Sequence, residues 1–117
     1  MSEIEDMLER RLERLLMEPD QPERYNDLGI LLLELKEISL AAMYFQRGYK
    51  LIKEKQGSGS AITEFELREN YGFVLYQLGR YEEAKSIYQE ALQLDLENEE
   101  ILKILEELYY LLGGQKE

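Results

Sequence analysis

The chain has 117 residues, of which 25 are acidic and 14 basic, giving a formal net charge of -11, and it contains neither cysteine nor histidine. Those two absences exclude disulfides, a thiolate nucleophile, the commonest metal ligand and the usual general base near neutral pH. A chain of this length fits one domain with a real core, and no apolar run approaches the ~18 residues of a membrane span. Taken in chain order, the apolar spacing is helical and no stretch alternates as a strand would. The first helix is expected over about Ser2 to Met17, with Ser2 and Glu5 as a capping box and Ile4, Leu8, Leu12 and Leu15 as its apolar stripe. The break MEPDQPER holds both prolines. Asp20 is expected to cap the second helix, with Glu23 as its partner and Pro22 in the first turn. Tyr25, Leu28, Leu32 and Leu35 mark its buried face. A break near Lys36 to Ser39 leads to a third helix reaching about Lys53, which carries Ala41, Ala42, Phe45, Tyr49 and Ile52. The Gly/Ser stretch KEKQGSGSAI reads as a flexible loop. A fourth helix follows over about Ile62 to Leu78, then Gly79 and Arg80, then a fifth ending near Leu94. The sixth starts near Asn98, runs to Leu112 and is stopped by Gly113 and Gly114.

The stretch ENYGFVLYQLGRYEEAKSIYQEALQLDLENEE is the most patterned part. Its Tyr71, Gly72, Leu75, Gly79, Tyr81, Ala84, Tyr88, Ala91 and Leu94, together with Asp95, resemble a tetratricopeptide repeat; Leu96 stands where that family usually has proline. An earlier copy is legible in Tyr25, Leu28, Gly29, Leu32, Ala41, Phe45 and Gly48. There Lys36 replaces the turn glycine, Ile38 the turn aromatic, and Gly48 the usual alanine. Gly29 and Gly72 are 43 residues apart in a family whose repeat is 34, so about nine extra residues fall near KQGSGSAIT as a loop, a lengthened helix end, or both. A third, partial copy carries Leu102, Leu105, Tyr109 and Gly113, with Glu106 at the small position. The resemblance implies an all-α fold, a right-handed superhelix of antiparallel helix hairpins with about six helices. It divides the single domain into an N-terminal helix (1–18), a first repeat (22–54), an inserted loop (55–63), a second repeat (65–98) and a terminal helix (99–113). Leu102, Leu105 and Tyr109 are expected to pack on the preceding unit, leaving Ile101, Leu108, Leu111 and Leu112 open.

Residues 1–60 carry 12 acidic and 9 basic side chains, and residues 61–117 carry 13 and 5. Such a surface repels phosphate backbones and anionic membranes and steers cationic partners toward it. The resemblance implies that the first helix of each unit lines an inner face. The partner-binding candidates there are Asn26, Ile30 and Leu33, then Glu66, Glu69, Asn70, Phe73, Tyr76 and Gln77, then Lys103, Glu107 and Tyr110. Glu23, Glu34 and Glu100 border them. Apolar groups among carboxylates point to a basic or mixed apolar protein or peptide segment. The alternative at this face is that the N-terminal helix folds over it as core. The carboxylate clamp that some family members use for chaperone tails is mostly missing: only Asn70 matches, with Asn26, Ile30 and Ile104 at the other clamp positions.

No catalytic constellation, metal site or cofactor motif is legible. The carboxylate runs are solvated, and GSGS lacks the lysine of a phosphate loop and follows no strand. The expected role is a non-catalytic interaction module or adaptor. The alternatives are a structural homo-oligomer, such as a homodimer built on the terminal helices, and a small assembly or secretion-type chaperone. With no basic-then-apolar leader in MSEIEDMLER, the expected location is cytoplasmic.

Overall fold

A computed structural model describes residues 2–55 and 60–114. Six helices follow one another: α1 (Glu3–Met17), α2 (Pro22–Glu34), α3 (Ile38–Lys55), α4 (Ala61–Gln77), α5 (Tyr81–Leu94) and α6 (Glu99–Leu111). No strand occurs among the described residues. Each helix packs on its neighbours in sequence, and the body is an elongated slab of 54 × 31 × 20 Å. The core runs its length, from Leu15 through Leu28, Phe45, Leu67, Val74 and Tyr88 to Ile101 and Leu108.

Two close approaches set the spacing of the hairpins. A Cβ on Gly29 would lie 2.5 Å from the Phe45 ring, and one on Gly72 would lie 2.9 Å from the Tyr88 ring. In both hairpins an aromatic of the second helix lies against a glycine of the first, and the small Ala41 and Ala84 are fully buried a turn away. The turns repeat as well. Lys36, Gly79 and Gly113 all take positive φ, at 63°, 77° and 92°. The residue after each donates its N–H five residues back, as Glu37 to the Leu32 carbonyl, Arg80 to that of Leu75 and Gly114 to that of Tyr109. This is the Schellman closure of a helix end.

Several expectations are corrected. Asp20 does not cap α2. Pro22 forces the residue before it into extended conformation, so Gln21 (φ -99°, ψ 114°) becomes the N-cap and supplies no side-chain bond. Ser2 does cap α1, accepting from the Glu5 N–H at 3.1 Å. Within the α1 stripe Leu15 is buried, but Ile4 and Leu12 are exposed because, among the described residues, only α2 packs on this helix. The extra residues between the units lengthen helices: α3 has 18 residues against 14 in α5, and α4 has 17 against 13 in α2. Of the expected 55–63 loop, Lys55 and 61–63 are helical, and 56–59 lie outside the described residues. Ser60, read as loop, is the N-cap of α4 and accepts from the Thr63 N–H.

Four positions of the terminal helix are turned opposite to expectation: Ile101 and Leu108 are fully buried, whereas Leu102 and Tyr109 are about half exposed. Leu105 packs against the core and Leu111 is exposed, both as expected. Ile101 and Leu108 occupy in α6 the places of Leu67 and Val74 in α4, the stripe that meets the preceding hairpin. The Leu102–Tyr109 side is the one a following second helix would cover.

A lysine in the left-handed region is disfavoured by roughly 1 kcal/mol relative to glycine. Lys36→Gly should therefore raise stability by about 0.5–1 kcal/mol in chemical denaturation. Gly29→Ala should lower it by about 1–3 kcal/mol despite the better helix propensity, because the Phe45 ring must leave its place.

Candidate interaction face

The first helices of the two hairpins, α2 and α4, lie side by side, and polar side chains close the seam between them. Asn26 is buried; its amide donates to Glu66 Oε1 at 3.4 Å, and Asn70 Nδ2 donates to Asn26 Oδ1 at 3.0 Å. Asn26, Glu66 and Asn70 are thus brought together as predicted, but the two asparagines are engaged with each other. Ile30 and Leu33 are half-buried against the core and do not stand free as anchors.

Between α4 and α6 the face opens. No Cα of α4 comes within 8 Å of a Cα of α6, among the described residues. A cleft of about 190 Å³ lies between them, lined by Phe73, Tyr76, Gln77, Tyr88, Ile104 and Glu107. Phe73 is 39% exposed, and Tyr76 donates to Glu107 Oε2 at 3.2 Å across the opening. Lys103, Ile104, Glu107 and Tyr110 continue the surface along α6. Phe73, Tyr76, Gln77, Lys103, Glu107 and Tyr110 therefore form one patch, which sequence reasoning had assembled residue by residue. It missed Ile104, because the helical register alone placed that residue at a clamp position and not in the wall of a cleft.

A larger hollow, about 530 Å³, sits at the start of α4 and is lined by Ile62, Phe65 and Leu94 with Glu64, Glu66 and Glu69. Ile62 is 69% exposed. The sequence had no signal for this hollow beyond the extra turn of α4, which carries Ile62 past the neighbouring helix. Glu69 lines this hollow and precedes Phe73 by one turn of α4. Its carboxyl is held above the ordinary value, first by burial and then by repulsion from Glu100 and Glu66. Among the described residues no three carboxylates converge as a metal site. The face offers negative charge and apolar surface, with no paired acid and base.

The opposite side of the stack is stapled. Glu90 on α5 accepts from Tyr49 on α3 (2.7 Å) and from Arg68 on α4 (3.1 Å), and Arg68 also lies over the Tyr49 ring. Three helices meet at this one carboxylate. The charges were visible in the sequence, but their convergence was not, because the partners are 22 and 41 residues apart.

With hairpin, turn and face in view, the fold is that of a helical-repeat protein. Residues 65–98, which hold most of α4, all of α5 and the connector after it, match the tetratricopeptide repeat family. Repeats of this family are in general protein-interaction modules without catalytic function. None of the curated proteins matches the chain. No helix among the described residues is long and apolar enough to cross a membrane.

Glu69→Gln tests the strain on the acidic seam. Above its raised pKa the carboxylate is ionised in folded and unfolded chains alike, and burial and repulsion weigh only on the folded one. As pH falls through that pKa, the folded chain takes up the proton first and regains stability. Glu69→Gln should therefore melt higher than the parent at neutral pH, with the difference vanishing by about pH 3, where both states are protonated.

Proposed function

We propose that the chain is a non-catalytic adaptor that binds an extended protein segment along the face between α4 and α6, and that the segment carries a large apolar side chain next to lysine or arginine. The observation that carries this is the exposure of Phe73 at the mouth of the cleft formed with Tyr76 and Ile104, with the Glu107 carboxylate in its wall and Glu69 one turn earlier on α4. An apolar side chain entering the cleft removes surface from water, worth about 1.5–3 kcal/mol for a full-sized residue. The surrounding carboxylates add little energy each, because exposed ion pairs contribute about 0.2–1 kcal/mol. Their effect is on selection: they attract basic segments and reject acidic ones.

The structure also supports this reading by what does not cover the face. Among the described residues α1 packs on α2 alone, so the N-terminal helix leaves the cleft open. A segment ending in a free carboxylate would meet Glu66 and Glu69 at the seam. Asn70, the one residue in common with a carboxylate clamp, is already bonded to Asn26.

An array of immobilised peptides varying one apolar and one charged position tests the proposal. Retention should be strongest for Leu, Ile or Phe beside Lys or Arg, and should fall as salt rises. Phe73→Ala should weaken it about 10-fold or more, the equivalent of 1.4 kcal/mol or above. Glu69→Lys should erase the preference for basic over acidic peptides. A preference that survives both substitutions would remove the cleft from consideration.

A further inference from the structure

The two ends of the stack are complementary to each other. At the C-terminal end, α6 is built as the first helix of a hairpin. Leu112 and Gly113 end it as Leu78 and Gly79 end α4, with the same backbone bonds. On α4 the stripe through Gly72 and Leu75 receives α5; Leu75 is fully buried and Gly72 lies under the Tyr88 ring. The matching stripe on α6 runs through Glu106 and Tyr109. Tyr109 is 53% exposed, and no helix covers this stripe among the described residues.

At the N-terminal end, α1 is built as the second helix of a hairpin. It leads into α2 through residues 18–21 as α5 leads into α6 through residues 95–98. In each connector the last residue donates its N–H to the carbonyl of the first: Gln21 to Glu18, and Asn98 to Asp95. Aligning the two connectors places Arg11 on Tyr88, Met7 on Ala84 and Ile4 on Tyr81. The correspondence holds in the fold: Tyr88 lines a cleft with Ile104 on the following helix, and Arg11 donates to the Asp27 carbonyl at the matching place on α2. Ile4 is 48% exposed on this unpartnered side.

We propose that copies of this chain join head to tail, with α1 of one copy seated on α6 of the next as α5 is seated on α4. The central Gly72–Tyr88 contact of the intact repeat is then replaced on both sides at once, by Glu106 and Arg11. A close aromatic packing becomes an ion pair of opposite charges, and Ile4 meets Tyr110 as Tyr81 meets Tyr76, whose rings are 5.6 Å apart. Glu106 also rejects the wrong occupants. A helix of the α3 or α5 kind would drive its aromatic into the glutamate, since even a Cβ at the equivalent Gly72 comes to 2.9 Å of the ring. An antiparallel pairing of α6 with itself sets Glu106 against Glu106. The interface is heterologous, so each added copy leaves a fresh end and the assembly is open rather than a closed dimer.

Sedimentation of the purified chain over micromolar to millimolar concentration tests this. The weight-average mass should rise past two chains without a plateau and fall as salt is added. Arg11→Glu and Glu106→Arg should each give a single-chain mass with helicity unchanged; Glu106 is exposed, so its substitution does not threaten the fold. Mixing the two variants, or combining both changes in one chain, should restore growth, because opposite charges then meet again. A parent chain that stays at one-chain mass, a plateau at two chains, or undiminished growth of Glu106→Arg would each overturn the proposal.

Discussion

An aromatic ring resting on a glycine is the contact from which the rest of this fold follows. Phe45 on Gly29 and Tyr88 on Gly72 bring two helices close enough that their remaining side chains have nowhere to go but outward to the next hairpin. Gly48 extends the same constraint, because a Cβ there would come within 3.1 Å of both Leu67 on α4 and Tyr25 on α2. Small residues on one side and large ones on the other turn a row of amphipathic helices into a stack. A stack buries each helix on two sides and leaves its ends incomplete.

That geometry separates the two long surfaces by function. On one, Glu90 gathers Tyr49, Arg68 and Lys53 into a network that ties three helices together. On the other, the seam between α2 and α4 is shut by Asn26, Asn70 and Glu66, while the gap between α4 and α6 stays open and keeps Phe73 accessible. The strained Glu69 carboxyl feels both Glu66 on the closed seam and Glu100 on α6. Relieving it would stabilise the chain and remove negative charge from the proposed binding face, a trade of stability against recognition common at functional sites.

The incomplete ends carry information of their own. Glu106 stands where α4 has a glycine, and Arg11 stands where α5 has a tyrosine. Either change alone reads as decay of a repeat. Together they place opposite charges at matching positions of two exposed faces, which is how a stack can continue between chains and yet refuse its own internal helices.

Much of this was legible from the residues alone. Helical period, glycine and alanine spacing, and the turn positions at Lys36, Gly79 and Gly113 are local properties, and local backbone physics determined the six helices and their hairpin pairing. Pro22 is the instructive miss among them: a capping pattern pointed to Asp20, but the steric demand of proline on its predecessor moved the cap to Gln21. What only the tertiary structure decided is which stripe of each helix meets a neighbour. The α6 sequence is apolar on both sides, so its composition could not say that Ile101 and Leu108 go inward and Leu102 and Tyr109 outward. Nor could it say that α4 and α6 part while α2 and α4 touch. Those outcomes depend on the direction from which the preceding hairpin arrives, a long-range packing constraint that no single helix contains.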